Sequence, residues 1–144
     1  MTIRTAHVGD VEAIVEMGRE FIHAIYPNDL PFNAGQIAQT ALNLMASQDG
    51  EIFVAERDGA LIGMLAMIAF LHPLSGERIA TELCWWVSPS HRGVGVKLLR
   101  AAEAWTKAQG AAVFQMIAPS PEVGRFYERV GLHAIETSYQ RRVA

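Results

Sequence analysis

The run VSPSHRGVGVKLLRAAEAW, residues 87–105, changes character twice. A strand-like apolar segment ends at Val87-Ser88-Pro89. A short basic turn follows, with His91 and Arg92 ahead of Gly93, Val94 and Gly95. Beyond it Leu98, Leu99, Ala102 and Trp105 recur at helical spacing until Gly110. A strand that feeds a glycine-bearing turn opening a helix suits an anion. The first helical N–H groups lack intrahelical partners, and the helix dipole favours negative charge there. His91, Arg92, Lys97 and Arg100 add local positive charge. The same residues also describe a plain strand-to-helix corner with solvated charges, and both readings stand on these residues alone. Two familiar phosphate loops are excluded: no GxxxxGK[ST] string exists, and Leu98 occupies the third glycine position of GxGxxG.

Working outward, TIRTA reads as a first strand, Asp10 as an N-cap, and Val11 to Ile25 as an amphipathic helix stopped by Tyr26-Pro27. Asn33 caps a second helix with Ile37, Ala41, Leu44 and Met45 on one face, closed by Asp49-Gly50. EIFVAER and ALIGMLAMIAF flank Asp58-Gly59, a strong hairpin signal. IATELCWWV is the next strand, and AAVFQMIA follows the helix that carries Leu98 and Trp105 as a fifth. Ser120-Pro121 caps a short last helix that Gly131 ends. The tail LHAIETSYQRRVA reads as one or two closing strands. The order β-α-α-β-β-β-α-β-α-β describes a mixed α/β (α+β) sheet covered by helices, not a doubly wound fold.

The chain has 144 residues, 51% of them apolar, and reads as a single domain over 1–144 with a substantial core. A net charge of −3 argues against a nucleic-acid binder. Cys84 stands alone, and His7, His23, His72, His91 and His133 follow no metal-ligand spacing, so no metal is expected. The N-terminus lacks a signal-peptide core, and the apolar run 60–71 is about half a membrane span. A soluble cytoplasmic protein is the expectation.

The element order, WWVSPSHRGVGVKLL and PEVGRFYERVGL together resemble the GCN5-related N-acetyltransferase (GNAT) superfamily over essentially the whole chain, closest to its small bacterial and phage-type members. The resemblance implies a mostly antiparallel mixed sheet of six to seven strands with about four helices. It implies a wedge between the fourth and fifth strands that holds acetyl-coenzyme A. The pyrophosphate is expected on main-chain N–H groups of a turn reading Gln/Arg-x-x-Gly-x-Gly/Ala. Arg92 matches its first position and Gly95 its fourth, which leaves Lys97 at the sixth. Aligning instead on Leu98-Leu99 makes the turn about two residues short. Coenzyme contacts are thus expected at Arg92, Gly93, Val94, Gly95, Val96 and Lys97. Trp86 and Val87 would meet the pantetheine arm and polarise the thioester carbonyl. Ser120, where the family has asparagine, and Phe126 complete the set.

Tyr127 matches the tyrosine that gives a proton to the departing thiolate; by its spacing with Val123 and Val130 it could equally be a packing residue. A lysine-like amine with a pKa near about 10 must lose a proton before attack, which Glu82 could accept. Glu82 could instead pair with an arginine or serve as a capping carboxylate. Strand alternation places Glu82 with Cys84 and Trp86, opposite Leu83, Trp85 and Val87. A covalent acetyl-Cys84 route competes with a plain core cysteine. His23, Tyr26, Asp29, Phe32 and His72 are candidates for acceptor contact. The activity expected is direct acetyl transfer to a primary amine, of a small molecule or peptide, in a ternary complex. A non-catalytic acyl-coenzyme A binder or sensor is the first alternative, and an interaction module the second. Neither nucleic acid nor membrane is an expected partner, and a homodimer is compatible with the family.

Overall fold

The computed structural model describes residues 1–91 and 93–144. Its five strands are β1 (Thr2–Thr5), β2 (Gly50–Arg57), β3 (Ala60–Leu71), β4 (Arg78–Val87) and β5 (Val113–Gln115). They lie in the order β1-β2-β3-β4-β5, antiparallel except for the parallel β4–β5 pair. The helices are α1 (Val11–Ile25), α2 (Ala34–Ala46), α3 (Val94–Ala108) and α4 (Pro121–Arg129).

The near-continuous apolar runs of β2 and β3 are explained by burial on both sheet faces. Ile52, Val54, Met64 and Ala66 pack with Ile14, Met17, Ala41 and Leu44 of α1 and α2. Their alternates Phe53, Ala55, Leu65 and Met67 pack with Val94, Leu98 and Ala102 of α3. Local signals act as their chemistry requires. Asp58 and Gly59 take φ of 51° and 79°, the left-handed pair of a tight hairpin turn. The Asn33 side chain accepts the Gln36 N–H at 2.9 Å, and Ser120 accepts that of Val123 at 3.3 Å ahead of Pro121.

Four expectations are corrected. Asp10 does not cap α1 with its side chain. Its buried carboxylate instead accepts from Arg4 Nη1 at 2.7 Å and from the His7 N–H at 2.9 Å, and Arg4 above all holds its pKa below the ordinary carboxylate value. The second helix ends at Ala46, before Asp49-Gly50, and Gly50 opens β2. The fifth strand spans three residues rather than the whole of AAVFQMIA. The tail forms no strand, so the described sheet has five strands and not six or seven. Its apolar residues bury too little to offset the cost of ordering them: Ile135 is 63% exposed, and Tyr139 and Val143 are 91% exposed.

Candidate active site

Strands β4 and β5 run together only while Ile79, Ala80 and Thr81 face Val113, Phe114 and Gln115. Just beyond, β4 bulges. Glu82 pairs with Met67 and Cys84 with Ala66, leaving Leu83 as an extra residue. The bulge overturns simple alternation along β4. Glu82 comes to the α3 face with Trp85 and Val87, while Cys84 and Trp86 turn to the α1–α2 face.

At this splay the Glu82 carboxylate replaces a strand partner. Its Oε1 accepts the Ile117 N–H at 2.8 Å, and the Tyr127 hydroxyl donates to the Ile117 carbonyl at 3.0 Å. Both side chains are buried, each 5% exposed. Burial pushes the Glu82 pKa up to about 7, with the Ile117 N–H pulling the other way. Burial, then the Glu82 charge, raises Tyr127 well above an ordinary phenol. Burial and the same charge push the Cys84 thiol up to about 12, so at neutral pH it is a protonated, poorly nucleophilic group.

An aromatic cluster packs beside these groups. Trp85 stacks on Tyr127 with centroids 5.7 Å apart and meets Phe126 at 6.0 Å. Its other edge lies on the first turn of α3: a Cβ on Gly95 would stand 2.7 Å from Trp85 Cζ2. The Trp85 indole N–H is buried and finds no acceptor among the described residues.

Gly93, at φ 93°, is the N-cap of α3 and, having no side chain, makes no cap bond to it. Val94, Leu98 and Leu99 are buried, Gly95 and Val96 half-buried, and Lys97 is exposed. Lys97 therefore does not crowd the turn, and Gly95 is where a side chain has no room. The His91 ring lies 3.0 Å from Ser90 Oγ. Arg92 lies outside the described residues.

The acceptor candidates are dispersed. His23 is exposed in the last turn of α1, and Tyr26 packs edge-on against Phe21 at 6.0 Å. Phe32 is half-buried before α2, and the Asp29 carbonyl accepts from Arg142 at 2.9 Å. His72 Nδ1 accepts the Leu74 N–H at 3.2 Å in the β3–β4 turn. Trp86 Nε1 donates to Glu20 of α1 at 2.8 Å, on the face opposite Glu82. Ser120 serves α4 as its cap. Sequence reasoning missed Trp85, Glu20 and Ile117. A bulge would have had to be recognised to place Trp85 beside Glu82, and a main-chain partner such as Ile117 carries no side-chain signal at all.

Among the described residues no group of three or more His, Cys, Asp or Glu side chains is placed to hold a metal, and no helix is long and apolar enough to cross a membrane. The chain matches the model of the Acetyltransferase (GNAT) family over residues 19–132. No curated protein matches it. Among solved structures it is similar to a transcriptional regulator from Bacillus halodurans, at 22% identity and TM-score 0.81 over 98% of both chains. It is similar to a ribosomal-protein-alanine N-acetyltransferase from Brucella melitensis biovar Abortus, at 23% identity and TM-score 0.72 over 99% of both. An aminoglycoside antibiotic 6'-N-acetyltransferase from Acinetobacter haemolyticus superposes at TM-score 0.77, with 20% identity over 100% of both chains. At these identities the likeness is one of fold.

Proposed function

The chain belongs to the acetyltransferase (GNAT) family, and from that premise we propose that it moves an acetyl group from acetyl-coenzyme A directly to a primary amine. The observation that carries this reading is the joint grip of Glu82 and Tyr127 on Ile117 where β4 and β5 part. A carboxylate with a pKa of about 7 is matched to taking a proton near neutral pH. An alkylamine is almost wholly protonated there and must lose that proton before attack.

The residues at the turn fit the coenzyme. The uncapped first N–H groups of α3 suit a pyrophosphate, and Gly95 keeps the backbone open there. With the register set on Leu98-Leu99, Gly95 takes the sixth, small-residue position of the family pattern and Gly93 the fourth, which leaves Ser90 rather than Arg92 at the first. Arg92, Gly93, Val94, Val96 and Lys97 are assigned to this end, Trp86 and Val87 to the pantetheine arm, and Ser120 and Phe126 to its flank. When bound, the coenzyme supplies the activated thioester.

Glu82 accepts the proton of the attacking amine, directly or through water. Tyr127 gives its proton to the sulfur as the C–S bond breaks, and the new C–N bond completes the amide. The two steps reinforce each other. The Glu82 charge raises the Tyr127 pKa, so neutralising Glu82 makes Tyr127 a better acid as the thiolate leaves. Tyr127 must first release the Ile117 carbonyl. Cys84, held protonated, has no part. Holding both substrates in one cleft supplies proximity. His23, Tyr26, Asp29, Phe32 and His72 are assigned to the acceptor side. An acidic chain suits a cationic small-molecule or peptide amine. The proposal places the enzyme in the cytoplasm, with a homodimer as its assembly.

Initial-velocity patterns test the reaction order. Intersecting lines and no acetylated protein by intact mass are expected, whereas parallel lines with acetyl-Cys84 contradict direct transfer. A second reading, acyl-coenzyme A binding without turnover, draws on the turn's departure from the family pattern at Ser90 and on the Bacillus halodurans neighbour, which is a transcriptional regulator. Coenzyme binding without acetylated product across an amine panel identifies that reading.

A further inference from the structure

Trp85 bridges the two elements assigned to the coenzyme and the proton donor. One edge of its ring lies on Gly95 in the first turn of α3, and its face stacks on Tyr127 of α4. The contacting edge includes Cζ2 and Cε2, and Cε2 is the atom bonded to Nε1. The N–H is thus carried on the ring edge that faces the first turn of α3. That indole N–H is buried and has no acceptor among the described residues. A buried donor without a partner costs about 1–3 kcal/mol, and native proteins rarely keep one without a use.

We propose that Trp85 is a coenzyme-binding residue whose indole N–H donates to a pyrophosphate oxygen of acyl-coenzyme A. The proposal rests on the coenzyme reading above and deepens it. The other donors at this end are the first main-chain N–H groups of α3. The indole N–H supplies one from the neighbouring strand, and a bond to a charged oxygen is stronger than one to a neutral carbonyl. The same ring carries the stack on Tyr127, so the anion site and the phenol share one rigid support.

The test is Trp85→Phe, which keeps a ring and removes the donor, followed by calorimetry with coenzyme A, ADP and pantetheine. Benzothienylalanine at position 85 keeps the indole shape without the N–H and covers the case in which phenylalanine leaves a void. The expected result is a loss of about tenfold in affinity for coenzyme A and for ADP, the size of one hydrogen bond to a charged group. Pantetheine affinity stays unchanged, and the ligand-free melting temperature holds or rises because an orphaned donor has gone. Undiminished coenzyme affinity in both variants overturns the proposal. So does a loss confined to pantetheine, or a fall in melting temperature with both replacements that tracks the loss of affinity. Wild-type protein that fails to bind coenzyme A at millimolar concentration overturns the coenzyme reading itself, a result distinct from wild-type binding that the variants retain.

Discussion

Glu82 and Tyr127 hold opposite ends of one residue: the carboxylate accepts the Ile117 N–H at 2.8 Å and the phenol donates to the Ile117 carbonyl at 3.0 Å. Ile117 lies just past β5, where the ladder to β4 has stopped. The two side chains thus do what a neighbouring strand does elsewhere. A change of charge on Glu82 reaches Tyr127 through space.

Glu82→Gln separates the structural role of this residue from its chemical one. The amide oxygen still accepts the Ile117 N–H, but the group no longer takes a proton. The turnover number is expected to fall by about 10²-fold or more, the usual scale for a lost general base, with the melting temperature held or raised. Glu82→Ala also orphans the N–H and is expected to cost a further 1–2 kcal/mol or about that. Paired kinetics and thermal denaturation check both, and a fully active Glu82→Gln removes the base assignment.

The pH profile follows from the same group. The rate at low substrate is expected to rise through about pH 7 as Glu82 ionises. That limb disappears in Glu82→Gln. Stability moves the other way. The folded pKa is raised from 4.5 to about 7, so the folded state holds this proton more tightly than the unfolded chain. The contribution is full below about pH 4.5 and is lost as pH climbs through about 7. Denaturation of wild type and Glu82→Gln across pH 4–8 reads the difference, and parallel curves contradict it.

Tyr127→Phe keeps the stack on Trp85 and loses the proton. A rate loss of about 10²-fold or more is expected, with the Michaelis constant for the amine little changed. Stability falls by about 1 kcal/mol as the Ile117 carbonyl loses its donor. An undiminished rate leaves Tyr127 as a packing residue.

Gly95→Ala tests the contact between the turn and the aromatic cluster. A general family pattern allows alanine here and helix propensity favours it. In this chain the new Cβ meets Trp85 Cζ2 at 2.7 Å. Net destabilisation of about 1–2 kcal/mol is expected, as for other overpacked sites, together with weaker coenzyme binding. A more stable variant with unchanged affinity contradicts the packing described.

Local chemistry explains how much of this was legible in the amino-acid order. Asn33, Ser120-Pro121 and Asp58-Gly59 act within a few residues of themselves, so their turns and caps appear as the residues demand. The two-faced burial of β2 and β3 shows as a long apolar run. The Leu83 bulge has no such local mark. It depends on how β3 and β4 meet across the sheet, and it moved Trp85 to the Glu82 side. Tyr127 and Glu82 were visible as residues, but Ile117, which joins them, was not, because its part is played by backbone. The tail alternates like a strand yet has no second surface to bury against.

Release of free thiol from acetyl-coenzyme A by the wild-type protein, measured across a panel of primary amines, tests the central claim most directly. The account predicts saturable, amine-dependent release matched by acetylated product. Tight coenzyme binding with no acceleration by any amine, including diamines, aminoglycosides and peptide N-termini, would contradict it and leave a binding protein in place of an enzyme.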